Sequence, residues 1–192
     1  MAPLSCWIPI RKATRVIFAG DHCQLPPTVK SLAALKAGLG KTLMERIVEN
    51  KPEAVTLLKT QYRMNENIMR FSSDYFYHGE VETAPQIKYR GILDYDDPIV
   101  WINTSEIETE PDEPDFKEQF VGEKFGRINR GEAELTLQKL EEYFKKIGKQ
   151  RILEEKIDVG IISPYRAQVQ YLRKLLHKKE IFKPYQKLIS VN

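Results

Sequence analysis

Short apolar runs alternate along the chain with segments in which apolar residues recur at helical spacing. The apolar run at residues 16–19 predicts a short buried strand, whereas Leu43, Met44 and Ile47 fall on one side of a predicted amphipathic helix. The predicted strands are residues 15–19, 55–58, 99–102, 157–162 and 188–191, and the predicted helices are residues 42–50, 65–77, 130–147 and 165–177. Because strands alternate with helices, we predict an α/β fold with a mostly parallel, doubly wound sheet.

Residues at the ends of two predicted helices support their boundaries. Asn129 can cap the helix at 130–147, which carries acidic residues early and basic residues late and is followed by Gly148. His78 and Gly79 form a C-cap signature after the helix at 65–77. We assign the apolar stripe of that helix, including its aromatic rings, to the core: Ile68, Met69, Phe71, Tyr75 and Phe76.

The length of 192 residues, 42% of them hydrophobic and 30% charged, predicts one domain and part of a second. A formal net charge of +3 is too small to require a polyanionic partner, but the charges are unevenly distributed. An acidic stretch broken by prolines predicts an exposed insertion loop at about residues 104–126. From Ser163 to Lys187 basic residues dominate, which suits either a phosphate-binding face or an ordinary solvated helix face.

The chain contains only two cysteines, Cys6 and Cys23, and they lack a C-x-x-C spacing. No signal-like apolar segment or membrane-length apolar span is visible in the sequence. We therefore expect a reduced, intracellular, cytoplasmic protein with no membrane partner. His22 lies beside Cys23, but no second ligand pair follows at zinc-like spacing, so we predict no metal site.

A polar turn follows the first predicted strand, with the sequence Gly20-Asp21-His22-Cys23-Gln24-Leu25-Pro26-Pro27-Thr28. Ligands of α/β sheets bind at the carboxyl ends of the strands, where polar groups can touch a phosphate. Gln24 has an amide that can sense or orient around a γ-phosphate, and Asp21 has a carboxylate that can hold the turn. The alternative is a polar turn that only caps a core strand.

A second motif, Gln61-Tyr62-Arg63-Met64, joins the predicted strand at 55–58 to the helix at 65–77. It places a guanidinium and an aromatic ring together at a strand end. An arginine that reaches a γ-phosphate from a second domain stabilises the charge of the transition state. A tyrosine can stack on a base, so this pairing suits a nucleotide.

A third motif occupies residues 159–168, where a strongly apolar strand leads into a turn and a helix. Ser163 can donate to a phosphate, and the helix start at Tyr165 favours anions. Arg166 and Gln168 could face the same phosphate-binding groove as Ser163, or they could form ordinary helix surface.

Together these motifs resemble those of superfamily 1 helicases, in the branch that contains the nonsense-decay and immunoglobulin-μ-binding helicases. The resemblance covers most of the chain except the acidic insertion, and it implies RecA-like domains. It implies that Gln24 and Arg63 lie near the γ-phosphate of ATP, with Asp21 and Gln61 supporting them and Tyr62 on the base. It also implies that single-stranded DNA or RNA is contacted by Pro27, Thr28, Ser163, Pro164, Tyr165, Arg166 and Gln168.

The same resemblance assigns residues 1–50 to the C-terminal end of a first RecA-like domain and residues 51–192 to most of a second. The relatives carry their phosphate loop and their Mg²⁺-binding Asp-Glu pair upstream of the Gly-Asp motif. We therefore expect ATP and Mg²⁺ to be bound mainly by the remainder of the helicase core, and the isolated chain to lack ATPase activity. The resemblance implies movement along the strand from 5′ to 3′. The strand at 15–19 lacks sheet neighbours and could swap into a second copy.

Two other interpretations of the sequence are open. The segment 38–42, Gly-Leu-Gly-Lys-Thr, ends like a P-loop, but Leu35 stands where the first glycine is required and a helical stretch precedes it. We therefore assign Lys41 to the surface at a helix start. The other alternative is a non-enzymatic nucleic-acid-binding scaffold, which would need neither Gln24 nor Arg63.

Overall fold

The computed structural model describes residues 3–26, 28–94, 96–107, 115–122 and 126–192. The chain divides into two compact units, Met1–Arg90 and Gly91–Asn192, called here the N-terminal and C-terminal units. The domain boundary predicted near Asn50 stays a prediction. No helix among the described residues is long and apolar enough to cross a membrane.

The described residues of the N-terminal unit form four helices and one pair of short parallel strands. The helices are α1 (Pro3–Ile10), α2 (Leu32–Ala34), α3 (Leu43–Asn50) and α4 (Glu66–Phe76). Helix α2 continues into a π-helical turn at Leu35–Leu39. Two 3₁₀ turns lie at Pro52–Ala54, directly after α3, and at Pro85–Ile87. Strands β1 (Thr60–Gln61) and β2 (Glu82–Thr83) pair with Thr60 opposite Glu82. The helices predicted at 42–50 and 65–77 are thus confirmed.

Side-chain caps explain where α3 and α4 begin. Thr42 accepts a hydrogen bond from the Glu45 backbone, and the Glu45 carboxylate accepts one from the Thr42 backbone, which completes a capping box. Asn65 caps α4 through the Asn67 backbone N–H at 2.8 Å. The predicted C-cap of α4 is confirmed, because His78 and Gly79 both have positive φ and the Gly79 N–H reaches the Ser73 carbonyl at 2.9 Å.

Two predicted strands of the N-terminal unit are absent. Residues 15–19 and 55–58 carry no strand pairing, and Ile17 is 86% exposed. A strand persists only where its N–H and C=O groups pair with a neighbour. In the described part of this unit, that pairing occurs only between β1 and β2.

The apolar stripe of α4 is only partly buried. Met69 is buried, but Phe71, Tyr75 and Phe76 are exposed and contact one another, with ring centroids 5.7 Å apart for Phe71 and Tyr75 and 4.8 Å apart for Tyr75 and Phe76. The assignment of these rings to the core is wrong, because no described element of the unit covers this face of the helix.

In the C-terminal unit, the part that the structure describes forms three helices, a hairpin and a second pair of parallel strands. The helices are α5 (Arg130–Ile147), α6 (Lys149–Glu154) and α7 (Arg166–Lys178), with 3₁₀ turns at Thr104–Glu106 and Glu180–Tyr185. The antiparallel hairpin is formed by β3 (Glu118–Val121) and β4 (Gly126–Asn129), and the parallel pair by β5 (Val159–Ile161) and β6 (Ile189–Val191). The predicted helices at 130–147 and 165–177 and the strands at 157–162 and 188–191 are confirmed with shifted ends.

This unit has a continuous hydrophobic core between its helices and the β5–β6 pair. The buried members are Ala133, Leu137, Leu140, Phe144, Ile147, Ile152, Ile161, Leu172, Leu176, Phe182, Tyr185, Ile189 and Val191. Burying one such large side chain stabilises the fold by about 1.5–3 kcal/mol. The core therefore fixes the C-terminal end of β5 and the N-terminal end of α7, and the turn of the third motif lies between these two ends.

Two predictions for this unit need correction. Residues 99–102 form no strand, and all four are exposed, because no described strand pairs with them. The insertion predicted at 104–126 is not wholly a loop, since β3 begins at Glu118. Residues 108–114 and 123–125 lie outside the described residues. The α/β class is confirmed, although the described strands form three two-stranded sheets in place of one large sheet.

Candidate functional site

The turn that follows the predicted strand at 15–19 is organised by one carboxylate. Asp21 Oδ1 accepts a hydrogen bond from the Cys23 backbone at 3.0 Å, and Oδ2 accepts one from the Gln24 side chain at 2.8 Å. Asp21 thus has the turn-holding role predicted for it. The amide of Gln24 is exposed and is oriented by this carboxylate.

The same turn is attached to the C-terminal end of α4. The Tyr77 hydroxyl, on the C-cap residue of α4, donates to Asp21 Oδ2 at 2.5 Å. The Cys23 thiol donates to the Phe76 carbonyl at 3.6 Å, which uses one of the carbonyls that a helix end leaves unpaired. Asp21 and Tyr77 are 56 positions apart, so the sequence alone could not pair them.

These contacts keep Asp21 ionised and Tyr77 neutral. Partial burial alone would raise the pKa of Asp21, but hydrogen bonds from Tyr77, the Cys23 backbone and Gln24 outweigh it and hold that pKa below its usual value. The hydrogen bond to Asp21, with burial and the nearby negative charge, raises the pKa of Tyr77 to about 12. Burial and the Asp21 charge also raise the pKa of the Cys23 thiol.

We expect Tyr77→Phe to lower the free energy of unfolding at neutral pH by about 1 kcal/mol, because it removes a hydrogen bond to a partly buried carboxylate. The folded-state pKa of Asp21 is lowered, so its stabilising contribution is present above the unfolded-state pKa and is lost as pH falls through the folded-state pKa. Urea denaturation at a series of pH values should show the difference from wild type shrinking as Asp21 becomes protonated.

Tyr75→Phe is the matched control, since Tyr75 is exposed on the same helix and its hydroxyl forms no hydrogen bond among the described residues. It should leave the unfolding free energy unchanged at every pH. An equal loss in both variants, or a Tyr77→Phe loss that persists at acid pH, would contradict this account of Asp21.

The ligand atoms of Asp21, His22 and Cys23 lie within 4.8 Å of one another, which is a spacing that a metal ion could bridge. The carboxylate, however, already accepts three hydrogen bonds, and the thiol is protonated and donates to Phe76. We assign these side chains to the hydrogen bonds of the turn.

A single side chain also organises the Gln-Tyr-Arg-Met turn. Gln61 Oε1 accepts from the backbone N–H groups of Arg63 and Met64, both at 2.8 Å. Its Nε2 donates to the Met64 carbonyl and to the Thr83 hydroxyl, both at 2.7 Å. Since Thr83 lies opposite Gln61 in the β1–β2 pair, the turn is tied to the sheet.

The two residues between these anchors face outward. Tyr62 is 63% exposed, and Arg63 is exposed with no ion pair or side-chain hydrogen bond among the described residues. The backbone of Arg63 is therefore fixed while its guanidinium is available for a ligand. This geometry suits the phosphate role predicted for Arg63 and the base-stacking role predicted for Tyr62.

The structure does not bring the two turns together around one ligand. The Gly-Asp turn is attached at the C-terminal end of α4, and Arg63 precedes its N-terminal end. An 11-residue helix is about 16 Å long. Among the described residues, no hydrogen bond or ion pair joins Gln24 to Arg63.

Lys41 belongs to a helix start, as the sequence predicted. It forms an ion pair with Glu49 on the exposed side of α3, and the adjacent Thr42 caps that helix. The Gly38 carbonyl accepts a hydrogen bond from the Arg46 side chain at 3.0 Å. This is the geometry of a capped helix, and no strand leads into it.

In the C-terminal unit, the third motif lies in the turn between β5 and α7. Ser163 is half-buried and is fixed by its backbone N–H, which donates to the Asn192 carbonyl at 2.8 Å. Pro164, Tyr165 and Arg166 are exposed, with Tyr165 at the N-cap of α7. Ser163, Pro164 and Tyr165 border one cavity together with residues of the β3–β4 hairpin.

Gln168 does not share this exposed surface. It is buried, and its amide bonds to both backbone groups of Asn129, accepting from the N–H and donating to the carbonyl, each at 2.9 Å. Its position therefore indicates a structural role, in which it joins α7 to β4. Its predicted contact with nucleic acid stays a prediction.

Several basic residues of the predicted C-terminal face are already paired. Arg173 donates to the Val191 carbonyl at 2.6 and 3.1 Å, Lys179 lies 3.3 Å from Glu134, and Lys183 pairs with Glu180 at 2.6 Å. In the part of the chain that the structure describes, Arg166, Lys174 and Lys178 form no ion pair. Pro27 and Thr28 of the first motif are also predicted to contact nucleic acid. Thr28 is exposed, and Pro27 lies outside the described residues.

Sequence reasoning missed two residues beside the third motif, Phe120 and Arg127. The Arg127 guanidinium carbon lies 5.3 Å from the Phe120 ring centroid and 5.6 Å from that of Tyr165. The signal in the sequence is the pair Phe120-Val121 directly before Gly122, two residues common in strands followed by a turn residue. Phe120 falls within the acidic insertion predicted at about 104–126, and Arg127 directly follows it.

Comparison with known proteins identifies the family of this chain. Two family models, each described as AAA domain, match residues 39–192 and residues 2–32. An uncharacterized ATP-dependent helicase of Methanocaldococcus jannaschii is 36% identical over 193 residues, covering 92% of this chain and 26% of that protein. The DNA-binding protein SMUBP-2 of Mesocricetus auratus is 36% identical over 189 residues, covering 91% of this chain and 17% of that protein.

A third relative, the DNA replication ATP-dependent helicase/nuclease DNA2 of Xenopus laevis, is 32% identical over 197 residues, covering 87% of this chain and 17% of that protein. The chain thus spans about a quarter or less of the length of these relatives. The resemblance inferred from the motifs is confirmed. The chain belongs to the AAA domain family and, within it, to the superfamily 1 helicases of the branch that contains the nonsense-decay and immunoglobulin-μ-binding helicases.

Proposed function

We propose that this chain acts as part of an ATP-dependent helicase or translocase that couples ATP hydrolysis to movement along single-stranded DNA or RNA. The observation that carries the proposal is the Gln-Tyr-Arg-Met turn. Gln61 fixes the backbone of Arg63 with a hydrogen bond of 2.8 Å, while the guanidinium stays exposed and unpaired among the described residues. The two relatives described above that are named as ATP-dependent helicases support it.

In this proposal Arg63 contacts the γ-phosphate, where a guanidinium stabilises the charge that builds up during phosphoryl transfer. Tyr62 offers its exposed ring to the base. Asp21 orients the amide of Gln24. Because Gln24 and Arg63 lie at opposite ends of α4 in this chain, the proposal brings this amide to the γ-phosphate only in the complete helicase core.

Mg²⁺ bound to the phosphates would neutralise charge on the transferring group. The carboxylate of Asp21, which accepts hydrogen bonds from Tyr77, Gln24 and the Cys23 backbone, is occupied by those donors. We therefore assign Mg²⁺, and most contacts to ATP, to the remainder of the helicase core.

The proposal assigns contacts with the strand to two separate places: the turn between β5 and α7 in the C-terminal unit, and Pro27 and Thr28 of the first motif in the N-terminal unit. Ser163 and the exposed Tyr165 and Arg166 offer a hydroxyl, a ring and a cation at the same turn. Hydroxyl and backbone donors at a helix start are common phosphate contacts. Lys174 and Lys178 add positive charge on α7.

The test measures ATP hydrolysis in a protein that joins this chain to the upstream phosphate loop and Mg²⁺ motif of the family, with and without single-stranded DNA or RNA. We expect turnover that the strand stimulates. A protein that binds the strand without turnover would instead be the non-enzymatic scaffold. The 192-residue chain alone should not hydrolyse ATP, and turnover by it would reinstate Lys41 as a phosphate ligand.

Three further predictions, the direction of movement, the swapped dimer and the cytoplasmic location, each have a separate test. Strand displacement on substrates with a 5′ or a 3′ single-stranded tail would check the predicted 5′ to 3′ direction. Sedimentation of the isolated chain would check the swapped dimer, and cell fractionation the cytoplasmic location.

A further inference from the structure

The β3–β4 hairpin presents an outward face that adjoins the turn between β5 and α7. Phe120 lies opposite Arg127 in the antiparallel register, and Glu118 lies two positions before Phe120. Because side chains alternate along a strand, these three share one face, while Ile128 is buried on the other. The face carries an aromatic ring, a cation and a carboxylate.

These side chains contact one another and the third motif. Arg127 lies over the rings of Phe120 and Tyr165, with distances of 5.3 and 5.6 Å from its guanidinium carbon to the two centroids. Both rings remain open to solvent, with Phe120 62% exposed and Tyr165 44% exposed. A cation over two open rings can form a continuous stacking surface.

The position of the hairpin relative to α7 is fixed. Gln168 bonds both backbone groups of Asn129, at the end of β4. At the start of β4, a Cβ built on Gly126 would lie 2.9 Å from the Cβ of Ala167, so only glycine permits this approach of strand to helix. Phe120 and Arg127 are therefore held beside Tyr165 by packing at both ends of the strand.

We propose that Phe120, Arg127 and Tyr165 form a base-stacking platform for the single strand, next to the phosphate contacts of Ser163. The inference rests on the proposed strand-binding function of the turn between β5 and α7. It adds the class of group that is bound at the hairpin, namely the flat face of a nucleobase. A cavity bordered by Ser163, Tyr165, Arg127 and Glu118 joins the two surfaces.

The charges on this face favour bases over phosphates. The Arg127 guanidinium donates to both carboxylate oxygens of Glu118, at 2.9 and 3.3 Å. A phosphate at Arg127 would have to displace this carboxylate and would be repelled by it. A base stacked on the rings encounters no such competition, since the ion pair stays intact beneath it.

The test compares two labelled strands of equal length by fluorescence anisotropy with the 192-residue chain at low salt. One is a single-stranded oligothymidylate, and the other has the same phosphate backbone with abasic sites. Phe120→Leu removes the ring and keeps an apolar side chain. We expect it to weaken binding of the oligothymidylate about tenfold, in line with the loss of one stacked base, and to leave binding of the abasic strand unchanged.

Two further measurements make the result specific. The salt dependence of binding reports the number of phosphates contacted, so its slope should be the same for wild type and Phe120→Leu. Phe71→Leu is the matched control, because Phe71 is an exposed ring in the N-terminal unit, and it should bind both strands like wild type. Tyr165→Leu removes the second ring beside Arg127, so it should also weaken binding of the oligothymidylate and spare the abasic strand.

The outcomes separate this inference from the proposed function. Binding of the oligothymidylate that Phe120→Leu leaves unchanged would overturn the platform alone. An equal loss for both strands would also overturn it, because the hairpin would then act through its structure or on phosphates. If the wild-type chain binds neither strand, the strand-binding role of the turn fails, and the platform fails with it.

Discussion

Arg63→Ala is expected to lower the rate of ATP hydrolysis about a thousandfold in a protein that carries the complete helicase core. The reason lies in the local geometry. The guanidinium is exposed and unpaired among the described residues, whereas the backbone N–H is held at 2.8 Å by Gln61. The substitution therefore removes the charge that meets the transferring phosphoryl group and leaves the turn intact. Binding of single-stranded nucleic acid should be spared, since the predicted strand contacts lie elsewhere.

Two variants make this measurement specific. Arg63→Lys keeps the positive charge but loses the planar fork, so it should recover little of the lost rate. Arg70→Ala removes another exposed arginine of the same unit, whose side chain lies 3.9 Å from Asp74, and it should hydrolyse ATP like wild type. Full turnover by Arg63→Ala would refute the assignment of Arg63 to the γ-phosphate.

Phe182→Ala is expected to lower the free energy of unfolding of the C-terminal unit by about 3–5 kcal/mol. The ring is fully buried in the 3₁₀ turn at Glu180–Tyr185 and packs edge-to-face on Phe144, with centroids 6.2 Å apart. Its removal leaves a cavity among side chains from α5 and α7, which hold β5 and β6 in place. Urea denaturation followed by far-ultraviolet circular dichroism measures the loss.

Phe120→Ala supplies the control for this second prediction. It is the same substitution in the same unit, at a ring that is mostly exposed, so it should change the unfolding free energy by less than about 1 kcal/mol. A similar result for the two variants would mean that Phe182 contributes no more than a surface ring. The same control shows whether the Phe120 variants keep the fold that the strand-binding test requires.

Local chemistry in this chain was accessible from the sequence. The turns at Asp21 and Gln61 and the caps at Thr42 and Asn129 are formed by hydrogen bonds that span at most three positions. Such contacts depend on residue type and spacing, which a sequence displays directly. For the same reason the helices at 42–50, 65–77 and 130–147 were predicted close to their observed ends.

Burial was the less predictable property. The apolar run at 15–19 suggests a buried strand, yet Ile17 is exposed, and Phe71 and Tyr75 lie on the surface of α4. An apolar residue is buried only if another element covers it, and this condition is not written in the residue itself. In the C-terminal unit, where α5, α7 and the β5–β6 pair cover one another, Leu172 and Leu176 are buried.

The sequence by itself determined the family of this protein, its α/β alternation and the turns that carry Gln24, Arg63 and Ser163. Only the tertiary structure decided that Asp21 accepts from Tyr77, 56 positions away, and that Gln168 joins Asn129, 39 positions away. It also decided that Arg127 lies over Phe120 and Tyr165. Local hydrogen bonds follow from neighbouring residues, whereas these contacts depend on strand register and helix packing, which the whole unit sets cooperatively.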